Sequence, residues 1–507
     1  MALTLVFVHG WSVTNLDTYG ELPLRLKAEA AAKGIDIIVE EIFLGSYISF
    51  HDEVRVTDIS RAFQYAVSRQ LGDLLKNKSR FVCITHSTGG PVIRDWWNKY
   101  YHGSKEICPM SHLIMLAPAN YGSALAQLGK GRISRLKSWW NGIEPGVGVL
   151  NWLCLGSHEA WELNSQWIET TNAIGENGIF PFVITGQDID RKFYDQLNPY
   201  TGELGSDGVV RVAAANLQGR MIKLVQPAPV KNANGTLTTG DFEIDGNLIE
   251  AAPSPLRVLR KTSHSGDLMG IMKSVKKTPG QDGSSEKIKA ILDCIRVKTS
   301  ADYENVRKQF AAETDAVQKE ELLETHYDGI FSHERYFIHD RHSMVIFRVH
   351  DHEGFPLTDF DLILTAGKDN DPNHLPEGFC EDRQKNAVSN DMVTYFFNYD
   401  IMKGCDAVYN DKKELIRDPI KGTDMLGLEI HPRPLDGFVR YIPCRIVASK
   451  EMLEMALVPN STTLIDICMQ RVVDTQVFRS ERLENDSMPS EDDGDFSGLE
   501  PGIDFVP

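Results

Sequence analysis

Residues 79–95 read Ser-Arg-Phe-Val-Cys-Ile-Thr-His-Ser-Thr-Gly-Gly-Pro-Val-Ile-Arg-Asp, and this stretch decides the fold. The apolar, β-prone run at 81–84 predicts a buried strand. A turn of small residues at 85–89 follows, and a helical pattern begins near Pro91. The stretch therefore predicts a strand, a tight turn and a helix, with Ser87 at the apex of the turn. The positive end of the helix is expected to point at the serine hydroxyl.

This turn resembles the nucleophile elbow of α/β-hydrolases, whose usual sequence is Gly-x-Ser-x-Gly. The resemblance implies that Ser87 is the nucleophile and that the backbone amide of Thr88 donates to an oxyanion. Thr85 stands where the usual motif has its first glycine, a position that contributes packing and not chemistry. The alternative is an ordinary strand-to-helix turn that contains a serine, but other segments of the chain favour the elbow.

The segments before the elbow alternate between strands and helices. Apolar runs predict strands at 3–8 and 35–42, and amphipathic patterns predict helices at 22–33 and 57–76. This order predicts an α/β fold with a doubly wound, mostly parallel sheet. The first strand runs into His-Gly-Trp at 9–11, and the resemblance to lipases implies that the amide of Trp11 is the second oxyanion donor.

Two later segments carry the rest of the resemblance. Asp207 lies in a Ser-Asp-Gly-Val-Val segment like the one that presents the acid in many lipases. His264 lies in a loop of small residues after the last expected strand, where this fold places its base. The order Ser, Asp, His along the chain is that of α/β-hydrolases. Asp188 and Asp190, just beyond a strand expected at 178–186, are alternative acids.

The sequence predicts no cofactor and no catalytic metal. A structural calcium ion is an alternative role for the Asp207 loop, because similar loops bind calcium in lipases. Two histidine-rich segments, 339–342 and 350–353, resemble metal-binding motifs, but their position in expected hairpin turns favours solvated surface residues. His86 is adjacent to Ser87 in sequence, so its side chain is expected to point away from the serine and to be structural.

An insertion at 125–171 is expected to cover the site as a helical cap or lid. It is too long for a plain connection, and it contains five tryptophans with glycines between them. Tryptophan suits a membrane–water interface. A place in the lid is therefore expected for Trp139, Trp140 and Trp152. Tyr121 precedes the insertion, in a loop at 118–123 that resembles one lining the mouth of the site in lipases, and is expected to contact substrate. The alternative is that the tryptophans form the core of the cap itself.

The sequence pattern changes beyond residue 300. We predict a catalytic domain at 1–300, a linker helix at 301–330, a β-sandwich-like accessory domain at 331–480 and an acidic disordered tail at 481–507. The apolar run at 221–225 is expected to be the last strand of the catalytic sheet. The accessory domain is expected to dock or target the enzyme and to do no chemistry.

The composition limits the partners and the compartment. The 507 residues carry a net charge of −18, which argues against nucleic acid as a partner and against simple attraction to anionic lipid. The eight cysteines have neither paired nor metal-type spacing and are expected to be reduced. We recognise no secretory signal peptide and no membrane-spanning run. We therefore expect a cytoplasmic location in the producing cell, with export by a signal-independent route as an alternative.

The chain resembles the lipase and phospholipase branch of the α/β-hydrolases, near the glycolipid-deacylase and lecithin-acyltransferase type. The resemblance implies a serine ester hydrolase that acts on lipid through an acyl-serine intermediate. A narrower hypothesis is an antibacterial lipase effector of a type VI secretion system, with an immunity or delivery protein bound by the C-terminal domain. The alternatives are an acyltransferase or peptidase of the same fold, and a catalytically weak scaffold module. The sequence does not indicate the lipid head group, the positional preference or the oligomeric state.

Overall fold

The computed structural model describes residues 2–9, 18–49, 51–129, 146–170, 173–189, 203–278, 284–328 and 333–474. The strands of the first half of the chain are β1 Leu3–His9, β2 Ile37–Phe43, β3 Phe81–His86, β4 Met110–Leu116, β5 Phe180–Gly186, β6 Arg220–Val225, β7 Val230–Lys231, β8 Leu237–Thr238, β9 Glu243–Ile244, β10 Ile249–Glu250 and β11 Leu256–Leu259. The strands of the second half are β12 Leu323–Asp328, β13 His333–Ile338, β14 His342–Asp351, β15 Phe360–Ala366, β16 Cys380–Lys385, β17 Met392–Asn398, β18 Val408–Tyr409, β19 Leu415–Arg417, β20 Leu426–Pro432, β21 Val439–Tyr441, β22 Cys444–Ala448, β23 Thr462–Met469 and β24 Arg471–Val473.

The helices lie mostly in the first 320 residues. They are α1 Leu22–Ala32, α2 Val56–Gln70, α3 Gly72–Lys76, α4 Gly89–Tyr100, α5 Ala124–Gly129, α6 Val147–Leu153, α7 His158–Glu169, α8 Val212–Ala215, α9 Ser284–Ile295, α10 Ser300–Glu320, α11 Tyr399–Lys403 and α12 Lys450–Ala456, with short 3-10 turns at Leu44–Ser46 and Pro372–His374. No helix in the described part of the chain is long and apolar enough to cross a bilayer.

The first sheet has six parallel strands in the order β11-β5-β4-β3-β1-β2. Its central strands are buried on both faces, which is why they read as continuous apolar runs in the sequence. Helices α1, α9 and α10 pack on one face, and α2 and α4 pack on the other. This arrangement confirms the predicted doubly wound α/β-hydrolase core.

The second sheet has seven strands, with β10-β6-β23-β14-β17-β16 in order and β9 paired to β6. Strand β6 pairs in parallel with β23, so that Met221 lies beside Leu464 and Ile222 beside Ile465. The expectation that this run closes the catalytic sheet is therefore wrong. The apolar residues of β6 predict a strand, but they do not specify which sheet the strand joins.

Both faces of the second sheet carry apolar side chains. Alternate residues of a strand point to opposite faces, so neighbouring apolar residues of β14 enter different cores. On β14, Met344 and Ile346 join the core that contains the elbow helix α4. Their neighbours Val345 and Phe347 join a separate core under the three-stranded sheet β15-β20-β22. The two sheets form the predicted C-terminal sandwich, and its larger sheet takes strands from both sides of the predicted boundary near residue 300.

We predict that residues 1–297 alone do not fold stably. This fragment keeps β6 but lacks β23, which pairs with it, and β14 and β17, which continue the same sheet. We expect aggregation or a non-cooperative thermal transition by circular dichroism. A control chain of residues 1–480 retains all of these strands and should unfold cooperatively at the temperature of the full chain. Cooperative unfolding of the shorter fragment at that temperature would contradict the prediction.

Candidate active site

The turn between β3 and α4 places Ser87 in the left-handed backbone region, with φ of 53°. A non-glycine residue in this region is strained, and such strain is concentrated at functional sites. The glycines that follow Ser87 are required because other residues pack closely against them. A Cβ atom on Gly89 would lie 3.1 Å from Cβ of Thr85, and one on Gly90 would lie 2.7 Å from Cβ of Pro118. The sequence pattern at this turn is therefore fixed by the space between strand and helix.

Ser87, His264 and Asp207 form a hydrogen-bonded chain. Ser87 Oγ lies 3.1 Å from Nε2 of His264, and Nδ1 of His264 lies 2.9 Å from Oδ2 of Asp207. The side chains are almost fully enclosed, since Ser87 is 9% exposed, His264 2% and Asp207 0%. The structure thus brings together the three residues that the sequence singled out from three distant segments.

The carboxylate of Asp207 is held by its own loop as well as by the histidine. Its second oxygen, Oδ1, accepts hydrogen bonds from the amides of Val209 at 3.1 Å and Val210 at 2.8 Å. The backbone carbonyl of Asp207 also accepts from the amide of His264 at 2.9 Å. Because both carboxylate oxygens have fixed donors, the orientation of the imidazole is fixed with them.

His86 contacts the backbone and the ring of His264. Its Nε2–H donates to the carbonyl oxygen of His264 at 3.2 Å, and the two imidazole rings are 4.6 Å apart between centroids. Burial, and then the neighbouring His264, hold the pKa of His86 well below its usual value. A neutral His86 therefore serves as a fixed donor that positions the His264 backbone, a role that adjacency in sequence did not reveal.

The remaining predicted site residues occupy different environments. The amide of Thr88 is at the N-terminus of α4, where the first backbone amides have no partner within the helix.

Tyr121 is buried at 1% exposure and Trp152 at 5%, and both belong to the core that includes α4. Four further predicted residues lie outside the described residues: Trp11, Trp139, Trp140 and Asp190. Trp152 therefore packs in the core of the hydrolase and not in a separate core of the cap.

Arg211 fastens the Asp207 loop to the second sheet. Its guanidinium is 1% exposed and donates to Glu203 at 2.9 Å through Nε. It also pairs with Asp382 of β16 and lies 4.1 Å from the ring centre of Phe396. Burial acts to lower the pKa of Arg211, but the charges of Glu203 and Asp382 outweigh it and raise the pKa. This contact cannot be predicted from the sequence, since nothing in the local pattern links residues 211 and 382.

Asp188 lies beside the histidine loop and contacts its backbone, not the imidazole of His264. Its Oδ2 accepts from the amide of Thr262 at 3.2 Å, and its own amide donates to the Thr262 carbonyl at 3.2 Å. Next to it, Glu321 accepts from the amide of Lys261 at 2.9 Å. Both carboxyl groups therefore fix the backbone two to three residues before His264.

His339 packs beside these acids, so the expectation that it is a solvated surface residue is wrong. It is 3% exposed, and its Nε2 lies 2.9 Å from Oε2 of Glu324. The same expectation fails for Asp340, His342 and Asp351, which are also buried. His342 and Asp351 are the ends of strand β14 and not turn residues, and the carboxylate of Asp340 is bonded by Asn398 and Arg417. Ligand atoms of Asp188, Glu324 and His339 lie within 4.8 Å of one another.

The acids near the histidine loop make the stability of the folded protein depend on pH. Burial, together with the charge of Asp188, raises the pKa of Glu321 from 4.5 to about 7. Between these values the folded chain holds a proton that the unfolded chain has lost, so stability falls as the pH rises from about 4.5 to about 7. We expect the melting temperature of Glu321→Gln to fall less over this range than that of the wild type. Glu320→Gln, an exposed neighbour, is the control and should follow the wild type; equal slopes for all three proteins would contradict the assignment.

Comparison with known proteins places the fold in a family. No protein-family model and no curated protein matches the sequence. The structure is similar to that of phospholipase PlaB from Legionella pneumophila, with a TM-score of 0.81 and 40% sequence identity over 96% of this chain and 97% of that chain. The same phospholipase in complex with thio-NAD gives a TM-score of 0.80 and 38% identity over 97% of this chain and 98% of that one. This agreement covers both sheets, and the chain therefore belongs to the phospholipase PlaB family of α/β-hydrolase enzymes.

Proposed function

We propose that the protein is a phospholipase that hydrolyses an acyl ester bond with Ser87 as nucleophile, His264 as base and Asp207 as the acid that orients the base. The observation that carries the proposal is the continuous hydrogen-bonded chain from Ser87 Oγ through the imidazole to Asp207. Phospholipids as the substrate class are supported by the similarity to phospholipase PlaB over nearly the whole chain.

The geometry supports a two-step reaction. His264 Nε2 takes the proton of Ser87 as Oγ attacks the ester carbonyl carbon, and the resulting imidazolium is stabilised by Asp207. The tetrahedral intermediate collapses when His264 gives that proton to the departing alcohol oxygen, which leaves an acyl-serine. Water, deprotonated by His264, then attacks the acyl carbon; the proton returns to Ser87 Oγ and the fatty acid is released.

The negative oxygen of each tetrahedral intermediate needs hydrogen-bond donors that are fixed before the reaction. We assign this role to the backbone amide of Thr88 at the start of α4, where the helix dipole also favours negative charge. Trp11 remains the second donor predicted by the sequence.

The same geometry favours an enzyme over a scaffold module. A scaffold has no need for a strained serine at φ of 53° or for a buried carboxylate with three fixed partners. Export as a bacterial effector, and an immunity or delivery protein on the C-terminal domain, stay predictions of the sequence.

Ser87→Ala should abolish hydrolysis without unfolding the protein. Loss of the nucleophile removes the acyl-serine route, and rates are expected to fall on the order of 10⁴-fold or more. The measurement is fatty acid release from phosphatidylcholine vesicles, together with turnover of a soluble nitrophenyl ester. Ser111→Ala, which loses a bond to the carbonyl of Phe81 and one to Nδ1 of His112, both distant in the chain from the three site residues, is the control and should retain activity. Substantial turnover by pure Ser87→Ala would refute the assignment.

The identity of the acid can be tested by comparing two aspartates. Asp207→Asn should lower turnover by about 10⁴-fold, because an amide in this position favours the wrong histidine tautomer. Asp188→Asn should cost far less, since Asp188 bonds the backbone of Thr262 and not the imidazole. Turnover numbers on the soluble ester at constant pH give the comparison. A deeper loss in Asp188→Asn would show that the acid is wrongly assigned.

A further inference from the structure

A large apolar cavity lies inside the C-terminal sandwich, between the seven-stranded and the three-stranded sheet. Its volume is about 710 Å³. Strands β6, β14, β17 and β23 form one wall, β15, β20 and β22 form the other, and helix α12 covers one side. The side chains that line it are mainly aliphatic or aromatic and include Leu224, Val345, Phe347, Phe397, Leu428 and Ile465.

This cavity is separate from the candidate active site. It lies on the face of the second sheet formed by Val345, Phe347 and Phe397, whereas Met344 and Phe396 point from the same strands toward the hydrolase core. The sheet itself therefore stands between the cavity and the Ser87 turn. A ligand bound here would not occupy the reacting atoms.

The size and the lining of the cavity indicate a ligand site. Protein interiors are close-packed, and voids much larger than a water molecule are few. An apolar cavity of roughly 150 Å³ stays dry and binds benzene, and ligand sites generally measure about 300–1,000 Å³. The volume of about 710 Å³ is therefore enough for a long hydrocarbon chain. Ordered water is a poor alternative occupant, since it needs several polar partners in the walls.

The rim of the cavity is apolar and adaptable. Ile244 on β9 and Met455 on α12 line it while being 40% and 51% exposed. Methionine has a flexible, polarisable side chain and adapts to irregular apolar ligands, and Met452 adds a second one. A hydrocarbon chain can thus enter between β9 and α12 and contact apolar side chains along its whole length.

The cation of β6 nearest to this rim is already paired. Arg220 bonds Glu250, which lines the cavity, at 2.8 Å. Because Arg220 has its own counter-ion, recognition of the ligand depends on its hydrocarbon chain and not on a charged head group.

We propose that this cavity binds the acyl chain of a long-chain fatty acid, with the carboxylate left in water at the rim. The ligand class follows from the proposed function, because hydrolysis of a phospholipid acyl ester releases a fatty acid. The site does not depend on the role of Ser87. It makes the C-terminal sandwich a lipid-binding part of the enzyme, distinct from the place where the ester is cleaved.

The test is displacement of a fluorescent fatty acid, cis-parinaric acid, from the full chain by saturated fatty acids of 8 to 16 carbons below their aggregation thresholds. Affinity should rise with length by roughly fourfold per methylene until the cavity is filled. Ala448→Phe places a ring in the cavity from β22 and should weaken binding at least tenfold. Val447→Phe, on the same strand but not among the lining residues, is the matched control and should bind as the wild type does.

Both variants should still hydrolyse the soluble ester, which shows that they are folded. Should Ala448→Phe not fold, Ala456→Phe places the same ring in the cavity from α12. Absence of binding to the full chain, affinity independent of chain length, or equal binding by the cavity-filling variant and the control would overturn the proposal. Ser87→Ala should bind the fatty acid normally. Hydrolysis that persists in Ser87→Ala would refute the proposed function and leave the cavity proposal standing.

Discussion

The parallel pairing of β6 with β23 is the constraint on which the rest of the structure depends. It joins a strand at residues 220–225 to one at residues 462–469, and both lie inside the second sheet. That sheet is apolar on both faces, so it needs the hydrolase core on one side and the small sheet on the other to keep its side chains from water. The catalytic half and the C-terminal half therefore share one core, although the sequence suggests two domains.

This shared core also positions the loops of the candidate site. The loop that carries Asp207 is held by Arg211 to Asp382 on β16. The loop that carries His264 is held by Asp188 and Glu321, beside His339. Buried ion pairs contribute little net stability, because desolvation offsets most of their attraction, but they fix geometry. We infer that the second sheet serves catalysis by holding the Asp207 loop, whereas Asp188 after β5 and Glu321 after α10 hold the His264 loop.

The sequence was sufficient for the parts of the fold that local patterns determine. The elbow at Ser87 depends on a strand, a strained turn and a helix that are adjacent in the chain, and the pattern of small residues shows all three. The segment around Asp207 is equally local. The sheet joined by Met221 and the partner of Arg211 depend on residues more than 100 positions away. A hydrophobic pattern indicates that a strand is buried, but it does not identify the residues that bury it. A single sequence therefore does not predict pairs of residues that are distant in the chain.

The position of β23 in the chain has a consequence for the timing of activity. Ser87, Asp207 and His264 all leave the ribosome before Thr462 is added, yet β6 cannot complete its sheet until β23 has been made. The Asp207 loop also lacks its contact with Asp382 on β16 until most of the chain has been made. We expect ester hydrolysis to begin only when nearly the whole chain has been translated. The lipids of the producing cell are therefore not hydrolysed by chains that are still being synthesised.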